Sequence, residues 1–112
     1  MLTIYHNPKC SKSRQTLQLI EQANAKVTII EYLKNPLTNE QIKHLLHLLN
    51  IPAIELVRNK EAQFKEQNLA TANDEQLITA MVNTPKLMER PIVVAGNKAC
   101  IGRPPENVLA LL

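Results

Sequence analysis

Residues 6–14, His6-Asn7-Pro8-Lys9-Cys10-Ser11-Lys12-Ser13-Arg14, crowd a thiol, an imidazole, hydroxyls and three permanent cations into one short stretch. It lies between an alternating apolar run and an amphipathic one, which makes it a turn leading from a strand into a helix. A cysteine at a helix N-terminus meets the positive end of the macrodipole and unpaired backbone N–H groups. Both favour thiolate over thiol. Lys9, Lys12 and Arg14 add positive charge within one turn, and His6 adds more if protonated. These conditions take a cysteine pKa below its free value of about 8.5. The same N–H groups and cations suit a tetrahedral oxyanion held beside the sulfur, with Ser11, Ser13 and Arg14 as candidate anion contacts. The competing reading makes Cys10 a small buried residue at a tight turn. The basic flanks and the position after a strand favour chemistry. Ser13 stands where a C-x-x-C motif has its second cysteine, so the turn is monothiol and closes no local disulfide.

The elements that must position this turn follow from periodicity. Leu2-Thr3-Ile4-Tyr5-His6 alternates as a strand and Asn7-Pro8 stops it. A helix follows over residues 11–24, with Leu17, Ile20 and Ala23 on one stripe and Leu19 widening it. Val27–Tyr32 is rich in β-branched residues and reads as the second strand. Strand, helix and strand in so short a span form a βαβ unit, with the two strands parallel. Thr38 and Gln41 then make a capping box. Ile42, Leu45, Leu46 and Leu49 continue at helical spacing until Asn50 and Pro52. Residues 53–68 read as a broken helix, and residues 74–83 as another that stops at Thr84-Pro85. Pro91–Ala95 is a buried type of strand, Gly96-Asn97 a hairpin turn, and Lys98–Ile101 its partner. Pro104 or Pro105 opens a last helix carrying Val108, Leu109, Leu111 and Leu112. The expected fold is α/β: β-α-β, a helical insertion, then β-β-α, with helices packed on a mixed four-stranded sheet. That order is the pattern of thioredoxin-like folds.

Composition bounds the rest. The chain has 112 residues, 45% hydrophobic and 21% charged, as ordinary globular domains have. Residues 1–112 are expected to form one domain, and a chain this long buries roughly 65% of its unfolded surface. The net charge is +3, aromatics are 3%, and no Lys/Arg run occurs. A nucleic-acid binder's basic block and stacking platform are therefore missing, whereas an anionic small molecule suits the surplus. Two cysteines make no disulfide framework. The first residues from Met1 carry no basic leader, and no apolar run nears the roughly 20 residues a membrane span needs. The expectation is a cytoplasmic monomer with reduced thiols.

The loop His6-Asn7-Pro8-x-Cys10-Ser11-x-Ser13-Arg14 resembles the active-site loop of the glutaredoxin-dependent arsenate reductase family. Four more blocks match in order: Leu33-Lys34-Asn35-Pro36-Leu37, Leu56-Val57-Arg58-Asn59-Lys60-Glu61, Arg90-Pro91-Ile92-Val93-Val94, and Ile101-Gly102-Arg103-Pro104-Pro105-Glu106-x-Val108. The similarity spans nearly the whole chain. It implies that Cys10 is the nucleophile, forming a thiol–arsenic adduct with arsenate or a similar oxyanion. It implies that Arg58, Arg90 and Arg103 bind that oxyanion, and that the Arg90–Pro91 peptide is cis. It also implies that glutathione attacks the adduct, that glutaredoxin resolves the mixed disulfide, and that arsenite is then released. No bound cofactor is implied. The chemistry agrees, since guanidinium forks match the oxygens of a tetrahedral oxyanion and their charge lets a thiolate approach an anionic centre. Lys12 departs from the family, which has small or uncharged residues there.

Other candidates carry less. Cys100 is a resolving thiol or a buried strand residue, and its apolar neighbours favour the second. His44 and His47 share a helix face without a supporting Asp, Glu or Cys cluster, so no metal site is expected. His6 orients or protonates near Cys10, or simply ends a strand. Two further function classes stay open. One is a binding module related to RNA-polymerase-binding stress regulators, which carry C-x-x-C and lack a counterpart of Arg103. The other is a glutathione-linked thiol protein without arsenate activity.

Overall fold

The computed structural model describes residues 2–112; Met1 lies outside the described residues. The chain divides into two compact units. One comprises the residues up to Asn35 together with Arg90–Leu112, and the other is Pro36–Glu89.

The first unit holds the sheet. Its strands are β1 (Leu2–His6), β2 (Val27–Glu31), β3 (Ile92–Ala95) and β4 (Lys98–Ile101), in the order β2-β1-β3-β4. β1 runs parallel to β2 and antiparallel to β3, and β4 pairs antiparallel with β3. The parallel pair is the βαβ unit expected, with helix α1 (Ser11–Gln22) as its crossover. Along β1, Leu2, Ile4 and His6 are buried while Thr3 and Tyr5 are half-buried. Leu2, Ile4, Ile20, Val93 and Val108 join strands, α1 and the C-terminal segment in one core. Gly96 turns the hairpin at φ +62°, a conformation L side chains avoid.

Boundaries moved where asparagines act. α1 ends at Gln22 rather than Asn24, because Asn24 takes φ +57° and leaves the helix. The last segment, Pro105–Leu111, is a 3₁₀ helix. Pro104 and Pro105 have no N–H to give, and its turns close by tight bonds such as Asn107 N–H to Pro104 C=O. The Arg90–Pro91 peptide is cis, as the resemblance implies, and so is Arg103–Pro104.

The second unit is helical: α2 (Asn39–Leu49), α3 (Ala53–Leu56), α4 (Ala62–Glu66) and α5 (Asp74–Asn83). The Thr38–Gln41 capping box forms, and Asn50 ends α2 at φ +54°. α5 has its own capping box from Asn73 and Gln76. Ile42 and Leu45 of α2 and Leu77, Ile78 and Met81 of α5 are buried, and the two helices pack together. Among the described residues no helix is long and apolar enough to cross a membrane.

Candidate active site

The turn after β1 is built by its own side chains. Asn7 C=O accepts from Cys10 N–H at 3.0 Å, and Asn7 Oδ1 accepts from Lys9 N–H at 3.0 Å. Ser13 Oγ is fully buried; it accepts from Asn7 N–H at 3.0 Å and lies 2.6 Å from His6 Nδ1. Burial pushes the His6 pKa down, outweighing the pull of Glu31 in the other direction. His6 is therefore a neutral ring rather than an added cation, and its Nδ1 shares a hydrogen bond with the Ser13 hydroxyl. The hydroxyl of Ser13 is spent on the scaffold, and its N–H faces the site. Arg14 Nη1 donates to Pro8 C=O at 2.9 Å, bracing the loop from outside, while Ser11 and Lys12 are exposed.

Cys10 is the N-cap of α1, with extended backbone at φ −92° and ψ 123°. Its carbonyl accepts the first helical bond, from Arg14 N–H at 3.0 Å. The thiol makes no capping hydrogen bond of ordinary geometry. Its pKa nevertheless lies below the ordinary value. Burial pushes it up, but the Ser13 N–H, the Arg90 guanidinium and the Lys12 N–H act together in favour of the thiolate and prevail. The thiol is half-buried, so it is both polarised and reachable.

Two guanidiniums from distant parts of the sequence converge on this sulfur. Arg90 immediately precedes the cis-proline before β3, and it interacts with both Cys10 and the wholly buried Tyr32. Arg103 follows β4. Its Nε donates to Arg90 C=O at 2.8 Å, and its Nη2 lies 3.7 Å from Cys10 Sγ. That distance is at the outer limit of an N–H···S contact, so Arg90 is the stronger influence on the thiol. Asn107 Nδ2 holds the Arg103 carbonyl at 3.1 Å from the other side.

Close approach makes this convergence possible. Gly102 N–H donates to Pro91 C=O at 2.8 Å, and a Cβ on Gly102 would fall 2.5 Å from Thr16 Oγ1 and 2.8 Å from Pro91 Cγ. Only glycine lets the chain before Arg103 lie against α1 there. Thr16 is fully buried and donates to Lys12 C=O at 2.8 Å. Tyr32, Thr16 and Gly102 escaped the sequence reading as site-shaping residues. Tyr32 read only as strand, and the Thr16–Gly102 contact spans 86 residues.

Arg58 belongs to the second unit. Its Nε donates to Glu61 Oε1 at 3.2 Å and its Nη1 to Glu89 Oε1 at 3.1 Å. Cys100, read as buried, is half-buried on β4 opposite Val93, and packs against the core. Burial alone drives its pKa up to about 11.

A thiolate-leaning sulfur among backbone N–H groups and two guanidiniums can hold an anion beside a nucleophile. Comparison with known proteins points the same way. An uncharacterized Escherichia coli K12 protein, YfgD, is 51% identical over 112 residues, covering 97% of this chain and 94% of its own. An arsenate reductase of Neisseria meningitidis serogroup B is 37% identical over 114 residues, covering 99% and 97%. The structure of an arsenate reductase from Vibrio cholerae superposes with a TM-score of 0.96 at 45% identity, covering 99% of this chain and 97% of that one. The model of the ArsC family matches residues 5–111, and the chain belongs to that family.

Proposed function

We propose that this protein is a cytoplasmic oxidoreductase that reduces arsenate to arsenite at Cys10. The observation that carries the reading is the meeting of Arg90 and Arg103 at a sulfur that already faces the N-terminus of α1. An anionic nucleophile must approach an anionic centre. Guanidiniums and N–H groups fixed beforehand around the oxygens remove that repulsion without reorganising during the reaction.

The Cys10 thiolate attacks arsenic, a sulfur–arsenic bond forms, and an arsenate hydroxyl takes a proton from solvent and leaves as water. Glutathione, the diffusible reductant, adds its thiol to arsenic with loss of a second water. A glutaredoxin thiol then removes the glutathionyl sulfur as a disulfide, and two electrons pass to arsenic. Hydrolysis of the remaining sulfur–arsenic bond releases arsenite and returns Cys10. Arg90 and Arg103 hold the oxyanion, and the family resemblance gives Arg58 to it as well. Ser13 at the second-cysteine position and Arg103 at the sulfur separate this chain from the C-x-x-C regulators.

The test is arsenite formation by the purified protein with arsenate, glutathione and glutaredoxin. Wild type is expected to turn over, and Cys10→Ser to lose at least about 10³-fold, as nucleophile removals do. A wild type that forms no arsenite above the protein-free rate overturns the reading.

A further inference from the structure

Every strand of the sheet delivers a residue to the same end. His6 of β1 lies in register with Glu31 of β2, Tyr5 with Ile92 of β3, and Ile92 with Ile101 of β4. The Cys10 turn after β1, Tyr32 after β2, Arg90 before β3 and Arg103 after β4 therefore leave the sheet together. Of these, only Tyr32 has no part in the chemistry above. It adjoins the edge strand, where Ile29 and Leu33 are exposed, yet its own side chain is fully buried. A phenol taken wholly out of water costs free energy unless its hydroxyl finds a partner, and packing alone would be served as well by Phe. The partner here is the Arg90 guanidinium, which bonds to the Tyr32 hydroxyl and to the Cys10 sulfur. Burial works against the Arg90 charge, and these two contacts outweigh it. Arg103 braces the same residue from the backbone side, its Nε donating to Arg90 C=O at 2.8 Å.

We infer that Tyr32 is a positioning residue for the thiol: its buried hydroxyl accepts an N–H of Arg90 and holds the guanidinium against the Cys10 sulfur. This rests on the reading of Cys10 as the nucleophile, and not on which oxyanion it attacks. A long side chain that must find its place beside an anion gives up rotamer freedom, and one already fixed gives up less. The guanidinium is planar, with its donors in fixed directions. A bond to Tyr32 at one donor therefore sets where the others point. The hydroxyl brings no formal charge of its own to the sulfur and acts through Arg90. Removing only that hydroxyl should loosen Arg90 and cost the thiol part of its preference for thiolate. Once Arg90 is gone, the same removal should do nothing.

The experiment is a double-mutant cycle over wild type, Tyr32→Phe, Arg90→Ala and the double variant. The pH dependence of Cys10 alkylation is read for each by peptide mass spectrometry, with thermal denaturation in parallel and arsenite formation measured separately. Arg90→Ala is expected to raise the Cys10 midpoint by about one pH unit, the loss of an adjacent opposite charge. Tyr32→Phe keeps the ring and its packing, and is expected to raise the midpoint by about half a pH unit. In the Arg90→Ala background Tyr32→Phe is expected to shift nothing. A merely structural role would lower thermal stability and leave the midpoint in place. A Tyr32→Phe midpoint equal to wild type overturns the inference, and so does a Tyr32→Phe shift that persists without Arg90, or an Arg90→Ala midpoint that does not move. If Tyr32→Phe does not fold, Arg90→Lys carries the test. A compact ammonium cannot bridge hydroxyl and sulfur, so its midpoint should rise toward that of Arg90→Ala, and a wild-type midpoint there overturns the inference. The expected cycle in a protein that forms no arsenite removes reductase activity and leaves the role of Tyr32 standing.

Discussion

The two cysteines share a state of burial and nothing else. Both are half-buried and free, yet one leans to thiolate and the other is held as thiol. Around Cys100 the sheet supplies only desolvation, which takes its pKa to about 11. Around Cys10 desolvation acts too, but the Ser13 and Lys12 N–H groups and Arg90 outweigh it. A thiol becomes a nucleophile through the charges fixed about it, not through its exposure. The site is thus a property of three places in the chain, the turn after β1, the residue before Pro91 and the residue after Gly102.

Removing a guanidinium beside the sulfur should weaken the hold on an anion there. Arg103→Ala is expected to cost on the order of 2–4 kcal/mol of transition-state stabilisation, roughly 30- to 1000-fold in arsenate reduction. Arg103→Lys should recover part of it, since an ammonium restores charge without the fork. Steady-state kinetics with folding checked by circular dichroism decides the point. An Arg103→Ala variant as active as wild type would show that Arg90 and the helix terminus suffice.

A subtler variant leaves every charge in place and shifts the backbone that carries it. The new methyl of Gly102→Ala must displace Thr16 or Pro91, an overpacking that should lower stability by about 1–3 kcal/mol. Because Arg103 is the next residue, its Nη2 should draw away from the sulfur and the Cys10 pKa should rise. Chemical denaturation and the pH dependence of Cys10 alkylation read the two effects separately. Unchanged stability with an unchanged pKa would mean that Thr16 and Pro91 give way easily and Arg103 keeps its place.

The smallest effect is expected at the other cysteine. Cys100→Ser should leave turnover within about twofold, since the proposed mechanism resolves the adduct with an external thiol, while half-buried substitution costs stability by about 1 kcal/mol. Lost turnover with the fold intact would make Cys100 the resolving thiol and reverse the contrast.

How much of this the sequence discloses depends on distance along the chain. The turn at Cys10 is legible because its parts are local: the strand stop at Pro8, the helix that follows, and the flanking cations. The element order is legible because periods of two and of 3.6 differ. Helix ends are partly legible, in Thr38-x-x-Gln41 and Asn50, whereas the left-handed cap at Asn24 and the capping box of Asn73-x-x-Gln76 went unread. Arg90 and Arg103 stood out only through family resemblance. What brings them to the sulfur is the β1–β3–β4 register and the Gly102–Thr16 approach, neither of which has a local signature. His6 reads as a cation beside a thiol by proximity alone. Burial makes it the neutral partner of Ser13 instead.

The central claim is that fixed charges, not exposure, single out Cys10, and alkylation of both cysteines in the same wild-type protein tests it directly. Iodoacetamide rates would be followed from acid to alkaline pH, with each cysteine resolved by peptide mass spectrometry. The Cys10 rate should climb and level off with an apparent pKa below about 8.5, since its thiolate fraction grows as pH rises through a lowered pKa. Cys100 should stay slow across the same range and rise only toward about 11. Matching profiles, or a Cys10 midpoint at or above about 8.5, would contradict the account.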